Sequence, residues 1–594
     1  MKERIAVLDF GGQYAHLIAN RVRRLGVFTE IHSPMEDASK FADFAGIIFS
    51  GGPSSVYDKN RPEFNHEIIN LSIPKLGICY GHQLINQSLG GQVTAGDVKE
   101  YGIASLNIVK NNHPLLQGIP KSSNMWMSHG DRVSKPADGF ITIASTDDCI
   151  QAAVANDEKQ IFGIQFHPEV THSEYGSQLL KNFIKICKCK ANWSTANFLS
   201  ELENKIKKQV GNKNVFLLVS GGVDSTVAFV LLNKVLGKDR VLGLHIDNGL
   251  MRLGESEAVM DFLNKENMDN LKIADATELF LNNLTNQASP ETKRKIIGDT
   301  FLQVKDNEIA NLNLDPNRWI LAQGTIYPDT IESGATKNSE TIKTHHNRVA
   351  AIVEMLENGT IIEPLADLYK DEVRSLGEEL GIPKALVWRH PFPGPGLGVR
   401  LLCMDKLEET PQIDGLDEFL SANNLSASVL PIKSVGVQGD GRTYAHPIAI
   451  QGELTWSQCE KFSTALTNRF NDINRAVLQV GNEKNIKYQA IKQFCTKEPL
   501  DFLRKIDAIC TKFLEEKDLY SKIWQMPVVL LPLLANDKPV VVLRPVCSTE
   551  AMTANFYEMP LNYLNELFDL LKSAGIGALL YDITHKPPGT IEWE

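Results

Sequence analysis

A short apolar run, Lys75 to Ile78, ends on Cys79 and turns through Tyr80-Gly81 into an amphipathic stretch, His82 to Leu89, closed by Gly90-Gly91. No other stretch constrains the architecture as strongly. A buried strand that feeds at once into a helix is the repeating step of a sheet covered by helices. The turn also holds Cys79 out of the core, beside the unpaired N–H groups of a helix start. Those groups and the helix dipole favour a thiolate, so the position suits a nucleophile. A buried structural cysteine is the alternative for a cysteine taken alone. Gly81 and the strand-turn-helix context weigh against it.

The same alternation recurs along the chain. Ile5–Phe10 and Gly46–Ser50 read as strands, and Tyr14–Leu25 and Gln83–Leu89 as helices, which predicts a mostly parallel sheet over residues 1–190. The polar, basic stretch Lys185 to Asn192 marks a boundary. Residues 191–400 then begin with an amphipathic helix, Thr195–Gln209. The strand Val215–Val219, a glycine turn, the helix Ser225–Leu236 and the strands Val241–Asp247 and Trp319–Gln323 follow, again α/β. Residues 401–594 carry an internal repeat. Ser428-Val-Leu-Pro-Ile and His446-Pro-Ile-Ala-Ile precede the helix Ser457–Asn471 and the strand Ala476–Val480. Val528-Val-Leu-Leu-Pro and Val540-Val-Val-Leu precede the helix Leu561–Ala574 and the strand Gly577–Tyr581. Two ββαβ units predict a duplicated α+β domain. At 594 residues the chain exceeds a single core, and about 150 residues per domain predicts three or four.

Composition narrows the function classes. A net charge of −11 argues against general binding to nucleic acid or anionic membranes. Nine cysteines fall in no disulfide-framework spacing, and Cys187-Lys188-Cys189 lacks partner ligands for a metal. The N-terminal residues lead directly into a strand, without the pattern of a signal peptide. No run of about 18 apolar residues is present, so no membrane span is expected. The expected location is the cytosol.

Cys79 needs a base, an orienting group and an oxyanion hole. Phe162-Gly-Ile-Gln-Phe-His-Pro-Glu169 offers the first two: apolar residues at 162, 164 and 166 read as a strand with His167 at its mouth. Glu169, two residues on in extended chain, points the same way and would fix the imidazole tautomer. A surface turn is the alternative for His-Pro-Glu alone. Ser50-Gly51-Gly52-Pro53 lets backbone approach a reacting centre, and the N–H groups of Gly52 and Tyr80 are the expected hole. Together with Met127-Ser-His-Gly-Asp131, these motifs resemble the class I glutamine amidotransferases over nearly all of residues 1–190. The resemblance implies glutamine bound near Gln83, Ser128, His129 and Asp131, a glutamyl thioester on Cys79, and release of ammonia.

Val219-Ser220-Gly221-Gly222-Val223-Asp224-Ser225-Thr226 joins a buried strand to a helix. Its glycine N–H groups and the hydroxyls of Ser220, Ser225 and Thr226, with the helix N-terminus, form an anion cradle. Asp224 would repel bare phosphate and suits a Mg2+ partner. No Gly-Lys-[Ser/Thr] is present, which excludes a Walker A loop. The string resembles the pyrophosphate loop of the N-type ATP pyrophosphatases, whose fold is adenine-nucleotide-hydrolase-like, and implies cleavage of ATP between its α and β phosphates. Asp247 ends a strand at the sheet's carboxyl edge, where ligands bind in open α/β folds. Lys370, in Leu368-Tyr-Lys-Asp-Glu-Val-Arg, reads equally as a solvated helix lysine or as positive charge for pyrophosphate.

Lys293-Arg-Lys-Ile-Ile-Gly, Ala322-Gln-Gly-Thr-Ile-Tyr-Pro-Asp, Ile342-Lys-Thr-His-His-Asn, Arg389-His-Pro-Phe-Pro-Gly-Pro-Gly, Ser434-Val-Gly-Val-Gln-Gly-Asp-Gly-Arg and Asp582-Ile-Thr-His-Lys-Pro-Pro-Gly-Thr-Ile-Glu-Trp-Glu594 resemble the GMP synthetase family. The resemblance spans essentially the whole chain. It implies conversion of XMP, ATP and glutamine to GMP, AMP, pyrophosphate and glutamate. By motif, Arg294, Asp440, Gln525, Lys586, Ile591 and Glu592 would bind XMP. Lys343, Thr344, His345 and His346 would lie on a lid, with a plain surface loop as the alternative. Two copies of the terminal unit resemble the longer, largely eukaryotic form, which leaves a monomer or a homodimer open. A different nucleotide acceptor and a non-catalytic partner-binding role are the remaining alternatives.

Overall fold

The computed structural model describes residues 3–594 except 13, 313, 315–317, 331–360, 439–440, 482, 484–485 and 549–553. Residues 1–209 and 324–379 form one compact unit, and residues 210–323 and 380–594 a second.

The first unit is built on a nine-stranded sheet. Its strands are β1 (Arg4–Leu8), β2 (Phe28–His32), β3 (Gly46–Phe49), β4 (Lys75–Ile78), β5 (Gln92–Ile108), β6 (Ser122–Lys135), β7 (Ile141–Ser145), β8 (Ala153–Asn156) and β9 (Ile161–Ile164). They lie in the order 2-1-3-4-9-8-7-5-6. The first five are parallel, and all but the half-buried edge strand β2 are almost wholly buried; β8, β7, β5 and β6 run antiparallel. The expectation of a mostly parallel sheet therefore holds for one half only. The other half shows its nature in β6, where buried positions alternate with half-buried and exposed ones, the period of a sheet wetted on one face. Helices α1 (Ala15–Arg24), α2 (Tyr80–Ser88) and α3 (Gly176–Ile186) follow β1, β4 and β9. The strand order reverses between β1 and β3, which opens a crevice at the carboxyl ends of β1, β3, β4 and β9.

Within this unit, the helix Lys370–Glu379 and the segment before it pack onto α1. Arg23 is 3% exposed; its guanidinium reaches Glu372 at 2.9 Å, donates to the carbonyls of Asp367 and Thr29, and lies against Phe28, Tyr327 and Tyr369. A buried arginine is tolerated because each of its three nitrogens finds an acceptor.

The second unit holds two sheets. In the first, β10 (Asn214–Leu218), β11 (Val241–Asp247), β12 (Leu271–Asp275) and β13 (Trp319–Ala322) are parallel in the order 12-11-10-13. Helix α4 (Val223–Leu236) crosses from β10 to β11 and is apolar nearly all round, as a helix enclosed on every side must be. Helix α5 (Pro290–Asn311) carries Lys293 and Arg294.

The second sheet contains the repeat. Strands β14 (Ser426–Val429) and β16 (Gly441–Gln451) pair antiparallel, β15 (Ser434–Gln438) pairs with β16, helix α6 (Trp456–Arg469) follows, and β17 (Ile473–Gln479) returns parallel to β16. After β18 (Gln489–Ala490) and helix α7 (Lys497–Glu516), β19 (Val528–Ala535) and β20 (Lys538–Leu543) pair antiparallel. Helix α8 (Leu561–Ala574) then leads to β21 (Ala578–Asp582), parallel to β20. The last strands of the two ββαβ units, β17 and β21, meet antiparallel at the centre of one sheet.

Candidate active sites

Cys79 sits between β4 and α2 with φ 51° and ψ −106°, a region that costs a non-glycine residue about 1–3 kcal/mol. The strain is held by its neighbours: Cys79 N–H donates to the Ile164 carbonyl (2.8 Å) and Gly81 N–H to the Ser50 carbonyl (3.1 Å). A side chain at Gly81 would run into the Phe49 carbonyl, so the helix approaches β3 only because no Cβ is there. The helix starts at Tyr80, earlier than the predicted Gln83, and this brings the first-turn N–H groups up to the cysteine.

His167 and Glu169 follow β9. The extended chain expected there is instead a turn after Ile164, which still brings His167 Nδ1 to 2.7 Å from Glu169 Oε1. Ser173 Oγ donates to the His167 carbonyl (2.6 Å), and His167 N–H donates to the Trp126 carbonyl (2.9 Å). The Tyr14 ring lies edge-on to the imidazole at 5.1 Å. Burial pushes the His167 pKa down, but the Glu169 carboxylate and Cys79, in hydrogen-bonding contact, outweigh it and hold it well above the ordinary histidine range. Glu169 is fully buried, and its second oxygen has no hydrogen-bond partner among the described residues. Arg21 Nε donates to the Glu169 carbonyl (2.9 Å).

An ideal Cβ placed on Gly51 would lie 3.3 Å from His167 Cε1 and 3.8 Å from Cys79 Cβ, so the 50–53 turn borders the nucleophile and its base. One on Gly52 would lie 3.3 Å from the Tyr80 ring, which brings together the two residues expected to form the hole. Cys79 Sγ is 3.6 Å from the Ser128 carbonyl. Gln83 Nε2 donates to the Asp131 carbonyl (2.8 Å) and to Gln165 Oε1 (3.1 Å), and Gln165 Nε2 lies 3.6 Å from Cys79 Sγ. The Asp131 carboxylate accepts from Tyr57 (2.7 Å) and Ser55 hydroxyls. In the sequence Gln165 is only one residue of a motif and Tyr14 only the first of a helical stretch; their contacts come from tertiary folding.

In the second unit, the 219–222 loop follows β10 at the carboxyl edge of its sheet. Gly221 has φ +80°, and Gly222 caps α4. Ser225 and Thr226 hydroxyls donate to the Gly222 carbonyl (3.1 and 2.9 Å), Ser220 Oγ lies 3.0 Å from Ser225 Oγ, and Val223 and Asp224 begin the helix. Arg389 donates to the Gly221 carbonyl and pairs with Glu255 at 2.7 Å, adding a cation to the cradle. Asp247 ends the neighbouring strand, its Oδ1 accepting from Gly249 N–H (2.9 Å). Lys370 opens a helix of the first unit.

The polar tail at 582–594 is ordered by buried charge. Asp582 takes Arg475 (2.8 Å), Arg544 (3.3 Å) and the Trp593 indole N–H (3.0 Å). Arg475 also donates to the Glu592 carbonyl (3.0 Å). Burial lowers its pKa to about 10, with Asp582 opposing, so it stays charged at neutral pH. The Glu592 carboxylate accepts from Arg400 (3.1 Å) and lies 3.5 Å from Gln525 Nε2, while Arg294 donates to the Glu594 backbone. Lys586 bridges Ala554 through its backbone, and Ile591 is half-buried. Arg294, Gln525 and Glu592 thus share one neighbourhood with the tail. Asp440 and Lys343, Thr344, His345 and His346 lie outside the described residues.

Comparison with known proteins matches three stretches of the chain. The class-I glutamine amidotransferase family matches residues 6–187, the NAD synthase family residues 195–303, and the GMP synthase C-terminal domain residues 512–593. A Leptospira interrogans protein named "Probable GMP synthase (glutamine-hydrolyzing)" is 49% identical, over all of this chain and 99% of its own length. The glutamine-hydrolyzing GMP synthase of Lactobacillus johnsonii is 44% identical over 80% of this chain and 96% of its own. The Leptospira protein therefore matches the chain over both copies of the terminal unit. The chain belongs to the glutamine-hydrolyzing GMP synthase family.

Proposed function

We propose that the protein makes GMP from XMP, ATP and glutamine through two sites. The observation that carries the glutamine half is the strained Cys79 elbow set against the buried His167–Glu169 pair. Cys79 attacks the glutamine amide carbon as a thiolate, and His167 protonates the departing nitrogen. The thioester is then hydrolysed by water activated by the same imidazole, releasing glutamate. Glu169 holds the imidazolium, and the N–H groups of Gly52 and Tyr80 receive the oxyanion. Gln83, Ser128 and Asp131 line the glutamine side.

In the second site, residues Ser220 to Thr226 hold the ATP phosphates, with Asp247 at the strand end. XMP oxygen O2 attacks the α-phosphorus and pyrophosphate leaves. Ammonia then attacks C2 and AMP leaves. Asp224 offers one carboxylate beside serine and threonine oxygens, a hard-oxygen set that fits Mg2+ shared with substrate phosphates. When bound, that ion would neutralise phosphate charge. Arg294, Lys586, Asp440, Gln525, Ile591 and Glu592 take XMP, and Lys343 to His346 cover the intermediate. The NAD synthase match stops at residue 303, whereas the GMP synthase match includes the tail, which favours XMP over a dinucleotide acceptor.

We assign residues 1–190, 191–400 and 401–594 to the amidotransferase, ATP pyrophosphatase and XMP-binding domains. The two repeats already pair within one chain, which supports a monomer, with a homodimer as the alternative; light scattering decides. We infer a cytosolic enzyme that needs neither nucleic acid nor membrane; separately, among the described residues no helix is long and apolar enough to cross a membrane. The decisive assay follows glutamate and AMP release with XMP, ATP and glutamine. Cys79→Ala should abolish glutamine-dependent synthesis and retain synthesis from ammonium. Loss of both, or retention of glutamine use, overturns the scheme.

A further inference from the structure

Behind the glutamine-facing residues lies a buried polar cluster that the mechanism above does not use. Glu100 on β5 stands opposite His129 on β6, and the two are 9% and 6% exposed. His129 Nε2 is 2.9 Å from Glu100 Oε2, and its Nδ1 is 3.0 Å from the Asp131 carbonyl. Thr146 Oγ1 donates to Glu100 Oε1 (2.9 Å) and accepts from Cys149 N–H (2.9 Å), which fixes the direction of the hydroxyl. His129, expected from resemblance to contact glutamine, therefore has both ring nitrogens engaged inside the protein.

Counting hydrogens sharpens the arrangement. A carbonyl and a carboxylate are both acceptors, and a neutral imidazole carries one N–H. The contacts at Nδ1 and Nε2 are both satisfied only if the Glu100–His129 pair holds one proton more than a neutral ring and a carboxylate. The carbonyl it fixes also accepts from Gln83 Nε2, which donates in turn to Gln165 Oε1; Gln165 Nε2 lies against Cys79 Sγ. One continuous chain of buried and half-buried contacts thus runs from Thr146 through Glu100, His129, Asp131, Gln83 and Gln165 to the nucleophile.

We propose that Glu100 and His129 are positioning residues for glutamine: they lock the 128–131 backbone and, through it, the Gln83–Gln165 amide pair beside Cys79. The inference rests on the glutaminase reading of Cys79. The chemistry it serves is recognition of a neutral carboxamide, which needs donors and acceptors pointed in one sense, and an amide pair free to flip would present the wrong edge.

Two variants in the full chain test it. Glu100→Ala removes the acceptor and frees the ring. Glu100→Gln keeps the shape: its amide N–H donates to Nε2, Nδ1–H still serves Asp131, and no extra proton is needed. We expect Glu100→Ala to raise the glutamine KM by about tenfold or more, because it removes the partner of both His129 and Thr146, with glutamine kcat much less affected. Synthesis from ammonium should be unchanged in both variants, and Glu100→Gln should restore KM to within about threefold of wild type. Equal impairment in the two variants overturns the proposal, as does a wild-type KM in Glu100→Ala. A parallel fall in ammonium-dependent synthesis also overturns it, by showing general damage rather than lost positioning. A wild-type chain that hydrolyses no glutamine would overturn the functional reading itself, and this inference with it.

Discussion

Oε1 of Glu169 lies 2.7 Å from Nδ1 of His167, and both side chains are closed off from solvent. The carboxylate is the principal charge holding the imidazole in its protonated form against burial. Glu169→Gln keeps the volume and removes that charge. The expected loss in glutamine hydrolysis is about 100-fold or more, with ammonium-dependent GMP synthesis unchanged. Glutamate release and AMP formation, measured separately, decide it. A loss smaller than about tenfold would reduce Glu169 to a space-filling role.

Acid stability depends on a different histidine. His16 on α1 packs edge-on to Tyr327 and Tyr369, and burial, helped by Arg23, lowers its pKa to about 4. Its Nδ1 has no hydrogen-bond partner among the described residues. With a folded pKa below the unfolded value, the native state binds fewer protons. The contribution is therefore fully present above pH 6.5 and is lost as pH falls from there towards 4, so stability rises with pH across this window. The depression corresponds to about 3 kcal/mol. Urea unfolding at pH 7.5 and 4.5 should show wild type losing more stability than His16→Phe, by roughly that amount. Equal losses in the two proteins would show that His16 is not the titrating group.

Much of this was legible in the sequence, for identifiable reasons. Strands β1, β3, β4 and β10 are short and apolar and end at glycine or cysteine turns, and the repeated ββαβ order shows in paired Val-Leu runs. Cys79, the 50–53 turn, His167 and Glu169 lie close to strand ends, where local patterning predicts position. The antiparallel half of the first sheet was missed because β5 and β6 are long, half-wetted and rich in polar residues, so their alternation is faint. Glu100 and Gln165 carry no local signal: each matters only through partners 29 to 86 residues away. The turn that brings Glu169 to His167 also differs from the extended chain that residue spacing suggested.

Arg23 ties the 367–372 segment to the body of the first unit. Replacing it by Met would leave Glu372 half-buried without its guanidinium and two carbonyls without donors. The expected cost is about 3–5 kcal/mol, with Lys a poor rescue because it lacks the planar fork. Hydrogen exchange should rise in residues 361–379 in particular. In a double-mutant cycle, Arg23→Met with Glu372→Gln should cost clearly less than the sum of the two single changes. Simple additivity would show that the pair does not couple.

The two glycines of the phosphate loop should differ sharply in tolerance. Gly221 has φ +80°, and a Cβ there would press within 3.3 Å of Met251 Cε and 3.4 Å of His245 Cε1. Its carbonyl also accepts from Arg389, so backbone strain at this point would move a cation of the cradle. Gly222 has φ −65°, which any residue adopts, and its Cβ would meet only the Ser220 hydroxyl at 3.3 Å. Gly221→Ala should therefore cost about 1–2 kcal/mol in backbone strain alone and slow XMP-dependent pyrophosphate release by about tenfold or more. Gly222→Ala should stay within about threefold of wild type. The reverse order would mean that close approach of phosphate to Gly222, rather than the left-handed turn at Gly221, sets the geometry of the loop.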